Sequence, residues 1–223
     1  MMIEPIKVNT PIEIHTVKDL KKYRSIVQSD IEFRLNQFNE LNEIATPGDL
    51  FRELVFCILT ANASARMALR SINVLDSLIY KGTEKDIENR LRGVYRFPKV
   101  RANYIVRSRD FLQSYCQMNI RKILTEFTDK FLLREFLVKN IVGIGFKECS
   151  HFLRNIGYSG YAILDKHVIS MLNLLDCSVR KPKSKREYCE IEKKMNDFAT
   201  KIRINMDELD LLFWSYKTGE IIK

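Results

Sequence analysis

The sequence predicts an all-α protein. Apolar residues recur at spacings of three and four along the whole chain, the pattern of helices that each bury one face. Gly and Pro are scarce, eight and five among 223 residues, whereas a β-sandwich or barrel consumes turn residues at every corner. The breaks between periodic stretches carry capping residues rather than hairpin turns, and no strand pair, fixed-period repeat or low-complexity tract stands out. With 46% apolar and 29% charged residues the composition is globular, and the length suffices for one core or for two intimately packed lobes.

The first helical pattern runs through Leu20, Tyr23, Ile26, Val27, Ile31, Phe33, Leu35 and Phe38, as one long helix or two, before a break at Thr46-Pro47. Thr46 is placed to cap, and Pro47 takes the first helical position, where its missing N–H costs nothing. The helix from Phe51 to Thr60 is apolar nearly all round and belongs at the centre of a core. Ser64 and Thr83 are the next caps. Pro98 opens a helix with the stripe Val100, Tyr104, Ile105, Phe111 and Leu112, and Thr128 begins another that ends near Asn140. Ser184 to Glu187 and Asn205 to Glu208 both read as capping boxes, in which cap side chain and third-position carboxylate satisfy each other's N–H groups. About ten helices result.

Charge narrows the partner. Lys and Arg number 37 against 28 Asp and Glu, a net +9 that suits a polyanion. The positive charge is concentrated: Arg90 to Arg109 holds seven basic residues and no acid, Arg180 to Arg203 nine against four, while the last twenty residues are acidic overall. Five cysteines, Cys57, Cys116, Cys149, Cys177 and Cys189, form no CxxC pair and are odd in number. That argues against a disulfide framework, a structural zinc site and a four-cysteine iron–sulfur cluster, and for buried reduced thiols. No apolar run approaches the roughly 20 residues of a membrane span, and no signal peptide precedes the fold, so an intracellular, soluble protein is expected.

The stretch NIVGIGFKECSHFLRNIGYSGYAILDKHVI, residues 140 to 169, carries the chemistry. Gly143 and Gly145 flank Ile144 between one helix ending near Asn140 and another starting near Phe146. Such a link permits backbone angles closed to side chains and presents successive N–H groups at a helix N-terminus, where a phosphate oxygen fits. Ile144 would pin the two helices together. A Gly-x-Gly alone is usually just a turn. Lys147, just inside the following helix, and Asp165, eighteen residues later and in a capping position, add the chemical content.

A hairpin followed by a lysine and then by an aspartate at that distance resembles the helix-hairpin-helix DNA glycosylase superfamily. More narrowly, KECSHFLRNIGY with AILDKHVI, the earlier FRELVFCILTANASA and the tail FWSYKTGEIIK resemble the archaeal-type 8-oxoguanine DNA glycosylase/lyase family, from about Glu32 to the last residue. The resemblance implies a bifunctional enzyme of base excision repair. It would excise 8-oxoguanine by lysine attack on the sugar C1′ and cleave the strand 3′ to the lesion by β-elimination. Its partner would be double-stranded DNA containing 8-oxoguanine; no cofactor, metal or membrane is implied, the working unit is a monomer, and the location is the cytoplasm or nucleoid. A glycosylase for oxidised pyrimidines and a non-catalytic DNA-binding module are the alternatives. The four-cysteine cluster of endonuclease III-like relatives is absent, and the adenine-specific branch lacks the lysine present here.

Residue roles follow from this chemistry. Lys147 would be the nucleophile, since a helix N-terminus and a half-buried pocket both disfavour the charged ammonium. Its Schiff base with the sugar would then act as the electron sink for elimination. Asp165 would stay ionised to stabilise positive charge on the sugar and to help move protons. Gly143, Ile144 and Gly145 would hold the DNA backbone. His151, one turn after Lys147, Trp214 and Lys223 would line the base pocket; packing between helices is the rival for the first two, and the family's use of a terminal lysine is the reason for the third. Gly219 is placed to end the Trp214 helix and turn the last residues inward. Phe97, in the basic run Arg96-Phe97-Pro98-Lys99, would wedge into the duplex with Arg96 beside it, and Asn62 would face the opposite strand, a helix cap being its alternative. The architecture expected is two helical lobes, residues 47–154 ending with the hairpin and residues 1–46 plus 155–223, with the active site in the cleft between them.

Overall fold

The structure, a computed structural model, describes residues 4–9 and 12–223. Among these residues there are twelve helices and one short strand pair. β1 (Ile6–Lys7) and α1 (Val17–Ile44) come first. α2 (Pro47–Thr60), α3 (Ala65–Leu75), α4 (Leu78–Lys81), α5 (Glu84–Leu91), α6 (Pro98–Cys116), α7 (Ile120–Glu126) and α8 (Lys130–Asn140) follow. α9 (Phe146–Asn155), α10 (Lys166–Leu174), α11 (Lys185–Ile202), α12 (Met206–Thr218) and β2 (Glu220–Ile221) close the chain. The chain divides into two compact units, one of Ile44–Phe152 and the other of Met1–Glu43 with Leu153–Lys223.

The continuous unit is built around α2. Thr46 accepts the Asp49 N–H and the Asp49 carboxylate accepts the Thr46 N–H, a complete capping box with Pro47 in the first turn. From Leu50 to Thr60 every residue but Arg52 is buried, so this helix is enclosed on all sides, as its composition predicts. The same box recurs at Thr83 and Asp86 ahead of α5, and Ser64 caps α3 through the Met67 N–H. α8 departs from expectation. Its cap is Asp129, whose carboxylate accepts the N–H groups of Phe131 and Leu132, which leaves Thr128 outside the helix. The basic run also divides. Arg101 is buried and donates to the Ala61 carbonyl, and Arg109 donates to the carbonyls of Ile79 and Gly82, while Arg96, Lys99 and Arg107 stay exposed.

In the discontinuous unit α1 is one helix of 28 residues that buries Leu20, Tyr23, Val27, Ile31, Arg34 and Phe38. Ile26 and Phe33, counted in the sequence pattern, lie off this stripe at 46% and 57% exposure, and Arg34 takes a place on it. Its Nη1 donates to Gln37 and its Nη2 to the carbonyls of Glu4 and Ile221, which lowers the cost of burying the charge. Neither late capping box closes. Ser184 accepts the Glu187 N–H, but the Glu187 carboxylate accepts from the Lys183 N–H and Arg180; Asn205 caps through the Asp207 N–H, while Glu208 pairs with Arg24.

Gly219 ends α12 in a left-handed conformation, φ 73°, with its N–H on the Ser215 carbonyl. The chain then turns to pair β2 antiparallel with β1, Ile6 opposite Ile221, and buries Ile221 and Ile222 completely. Two residues per strand leave no alternation to read, so the pair escapes sequence analysis. All five cysteines are free; Cys57, Cys116 and Cys149 are buried as expected, but Cys177 is half-buried and Cys189 is exposed. No helix among the described residues is long and apolar enough to cross a membrane.

Candidate active site

The hairpin between α8 and α9 is held from beneath by α6. Gly143 adopts φ 91°, and a Cβ there would lie 2.4 Å from the Tyr104 ring, so both conformation and space demand glycine. Four residues further along α6, Ser108 donates to the Val142 carbonyl at 3.2 Å. Ile144 is 6% exposed, in keeping with its expected role as the pin of the turn. Arg134, on α8, donates to Ser150 of α9 at 3.0 Å and lies over the Phe146 ring at 5.0 Å, which ties the two helices of the hairpin together.

Lys147 is the second residue of α9, and its Nζ lies 3.0 Å from Glu148 Oε1. The other oxygen of Glu148 accepts the Gly145 N–H at 3.2 Å. The N–H of Gly145, expected among the phosphate donors, thus meets a neighbouring carboxylate in this structure. Glu148 was missed in the sequence, although a carboxylate three residues after a capping position is a recognised signal. His151 is buried and meets Phe56 edge-on at 5.7 Å, a packing contact within the core of this unit.

The Asn62 turn belongs to the same unit. Asn62 is exposed, with φ 61°, between the Ala61 end of α2 and the Ser64 cap of α3, so it caps neither helix. The preceding Ala61 carbonyl is gripped by Arg101 and by the Tyr95 hydroxyl. One face of α6, carrying Arg101, Tyr104 and Ser108, therefore supports both the Asn62 turn and the hairpin. Phe97 stands at the start of α6, 39% exposed, with the Arg96 guanidinium 4.9 Å above its ring. A solvent-facing apolar ring under a cation is chemically suited to a duplex.

In the discontinuous unit Asp165 caps α10 and accepts the N–H groups of His167 and Val168, each at 2.8 Å. The His167 ring meets the half-buried Trp214 edge-on at 6.4 Å, so one turn of α10 joins Asp165 to the tryptophan. Burial holds the His167 imidazole below its usual range, against the opposing pull of Asp165. Asp210, one turn before Trp214, is buried with Arg154 Nη1 at 3.5 Å. Burial pushes its carboxyl up to about 7; Arg154 opposes the shift, and Asp165 and Asp207 add to it. Lys223 is half-exposed, next to the buried Ile222. No group of three or more His, Cys, Asp or Glu suited to a metal ion occurs among the described residues.

The chain as a whole is similar to known proteins. A family model described as 8-oxoguanine DNA glycosylase matches residues 31–204. The 8-oxoguanine DNA glycosylase/AP lyase of Korarchaeum cryptofilum is 37% identical over 211 residues, 93% of this chain and 97% of that protein. Its counterpart in Methanocaldococcus jannaschii is 36% identical, over 94% of this chain and 99% of that protein. The crystal structure of the M. jannaschii 8-oxoguanine glycosylase/lyase in complex with a 15mer DNA containing 8-oxoguanine superposes with a TM-score of 0.83 at 34% identity, covering 93% of this chain and 99% of that one. With a family match over most of its length and relatives of this similarity along nearly the whole of it, the chain belongs to the 8-oxoguanine DNA glycosylase family.

Proposed function

We infer that the chain excises 8-oxoguanine from double-stranded DNA and cleaves the resulting abasic site, as both a glycosylase and an AP lyase. The observation that carries the mechanism is the delivery of Lys147 to the first turn of α9 by the Gly143–Gly145 turn. Placed there, an amine lies beside a backbone anchor for the strand it attacks.

Lys147 in its neutral form attacks C1′; the C1′–N9 bond breaks, and the base leaves with the bonding electrons and takes up a proton. The nitrogen, now bonded to C1′, loses a proton and expels O4′, which is protonated as the sugar ring opens; the iminium left between nitrogen and C1′ accepts the electrons released when a C2′ proton is lost, so that the 3′ phosphate departs. Asp165 faces the positive charge that develops on the sugar. Its two accepted N–H bonds fix the carboxylate without neutralising it, which is the preorganisation such stabilisation needs.

The backbone of Gly143, Ile144 and Gly145 contacts the DNA backbone. Trp214 offers a face for the extruded base, and Lys223 a polar group to read it. Phe97 and Arg96 fill the gap in the duplex, and Asn62 contacts the opposite strand. His151 backs the pocket through its packing on Phe56. A single chain per lesion is the working unit, and a chromosomal substrate places it inside the cell.

A panel of duplexes, each with one 8-oxoguanine, thymine glycol or abasic site, tests the reading. Base release is expected to be fastest for 8-oxoguanine, with strand cleavage at the abasic site and a borohydride-trapped protein–DNA adduct on both. Faster release of thymine glycol, or binding without any trapped adduct, would contradict it.

A further inference from the structure

We propose that Glu148 positions the Lys147 amine, by means of one carboxylate that spans from the hairpin turn to the nucleophile. The inference rests on the assignment of Lys147 above. Oε2 of Glu148 accepts the Gly145 N–H at 3.2 Å, and Oε1 lies 3.0 Å from Lys147 Nζ. Consecutive residues of a helix project about 100° apart and do not ordinarily face each other. The pair forms because Lys147 folds back toward the start of α9, where Glu148 is already anchored.

That anchor is the reciprocal half of a capping box. Gly145 occupies the capping position and Glu148 the third position of the helix, so its carboxylate reaches back to an N–H that has no partner within the helix. Gly145 has no side chain to complete the box, and the second oxygen is thereby left for the lysine. The side chains of Lys147 and Glu148 are 30% and 14% exposed, so the pair is screened less than a surface ion pair.

The arrangement matters because a lysine is a flexible carrier for a nucleophile. Untethered, its amine is spread over many rotamers; tethered, it is held beside the turn that anchors the strand. A misplacement of about 1 Å at a reacting atom is enough to slow a reaction by about 100-fold. The carboxylate also faces the positive charge of the iminium formed once the nitrogen is joined to the sugar. Glu148 acts through Lys147 and needs no contact with DNA.

Single-turnover base release from an 8-oxoguanine duplex at saturating enzyme, with duplex Kd measured alongside, separates positioning from binding. Glu148→Ala removes both oxygens and is expected to lower the rate about 10-fold or more while Kd stays within about 3-fold. Glu148→Gln keeps an oxygen acceptor and is expected to fall between alanine and the parent, with an unfolding temperature near that of the parent. Should the alanine variant fail to fold, a rate for Glu148→Gln several-fold below the parent upholds the proposal and a parental rate overturns it. It is also overturned if both variants release base at the parental rate or faster, or if their loss tracks Kd. Lys147→Gln is the control. Base release by that variant would overturn the assignment of the nucleophile itself, whereas an inactive Lys147→Gln beside fully active Glu148 variants would overturn only the role of Glu148.

Discussion

Asp165 and Asp210 show how one unit treats two carboxylates differently. Asp165 is partly exposed and receives two backbone N–H bonds, whereas Asp210 is buried against Arg154 and its carboxyl is pushed up to about 7. A group that holds its proton more tightly folded than unfolded stabilises the fold fully below its ordinary value of 3.8, and that contribution is lost as pH rises to about 7. Asp210→Asn removes the titration but keeps the shape. The difference in Tm between parent and variant is expected to move in favour of the variant as pH rises from about 4 to about 7, and a pH-independent difference would contradict this. Asp49 lies on the other side of this sign: its bond from Thr46 holds the carboxyl below the usual range, and its contribution is lost as pH falls. The burial of Asp210 was not legible from the sequence, because it depends on a partner, Arg154, that is 56 residues distant. Lys147 and Asp165 were singled out by their spacing together with the family resemblance, whereas Glu148 went unread beside the more conspicuous lysine.

At the scale of elements, capping chemistry was the most informative signal. Thr46, Ser64, Thr83 and Gly219 end or begin helices where the residue types require it, since each satisfies an N–H or adopts an angle that its neighbours cannot. The reading failed where a competing partner drew a side chain away: Glu187 goes to Arg180 and Glu208 to Arg24 instead of to their caps. In α6 the basic residues divide, with Lys99 and Arg107 exposed and Arg101 an internal brace, a division that charge counting cannot make. The seat of the hairpin on α6 gives a direct test. Gly143→Ala is expected to destabilise the protein by about 1–3 kcal/mol from the positive φ alone, and by more from the Tyr104 contact. Adding Tyr104→Ala is expected to return the second part but not the first, as a coupling of about 0.5–3 kcal/mol in denaturant unfolding. Strictly additive losses would show that the ring and the turn are not in contact.

For the whole molecule, the helical class followed from periodicity and from scarce turn residues; the sharing of the chain, expected as residues 47–154 against 1–46 plus 155–223 and seen as Ile44–Phe152 against Met1–Glu43 with Leu153–Lys223, did not come from periodicity. Leu153–Lys223 shares a unit with the first 43 residues, and no local pattern announces a pairing between segments so far apart. Arg34 and the β1–β2 pair, which join the two ends of the chain, become visible only once the fold is known. The family relationship supplies what periodicity could not, and the function proposed above puts the chemistry on one amine. Borohydride reduction during reaction with an 8-oxoguanine duplex, followed by digestion and mass-spectrometric mapping of the trapped adduct, tests that claim most directly. The account predicts that the sugar remnant is attached to the peptide containing Lys147, at its Nζ. A remnant on any other amine, Lys223 or the N-terminus included, or no adduct at all while base is released, would contradict it.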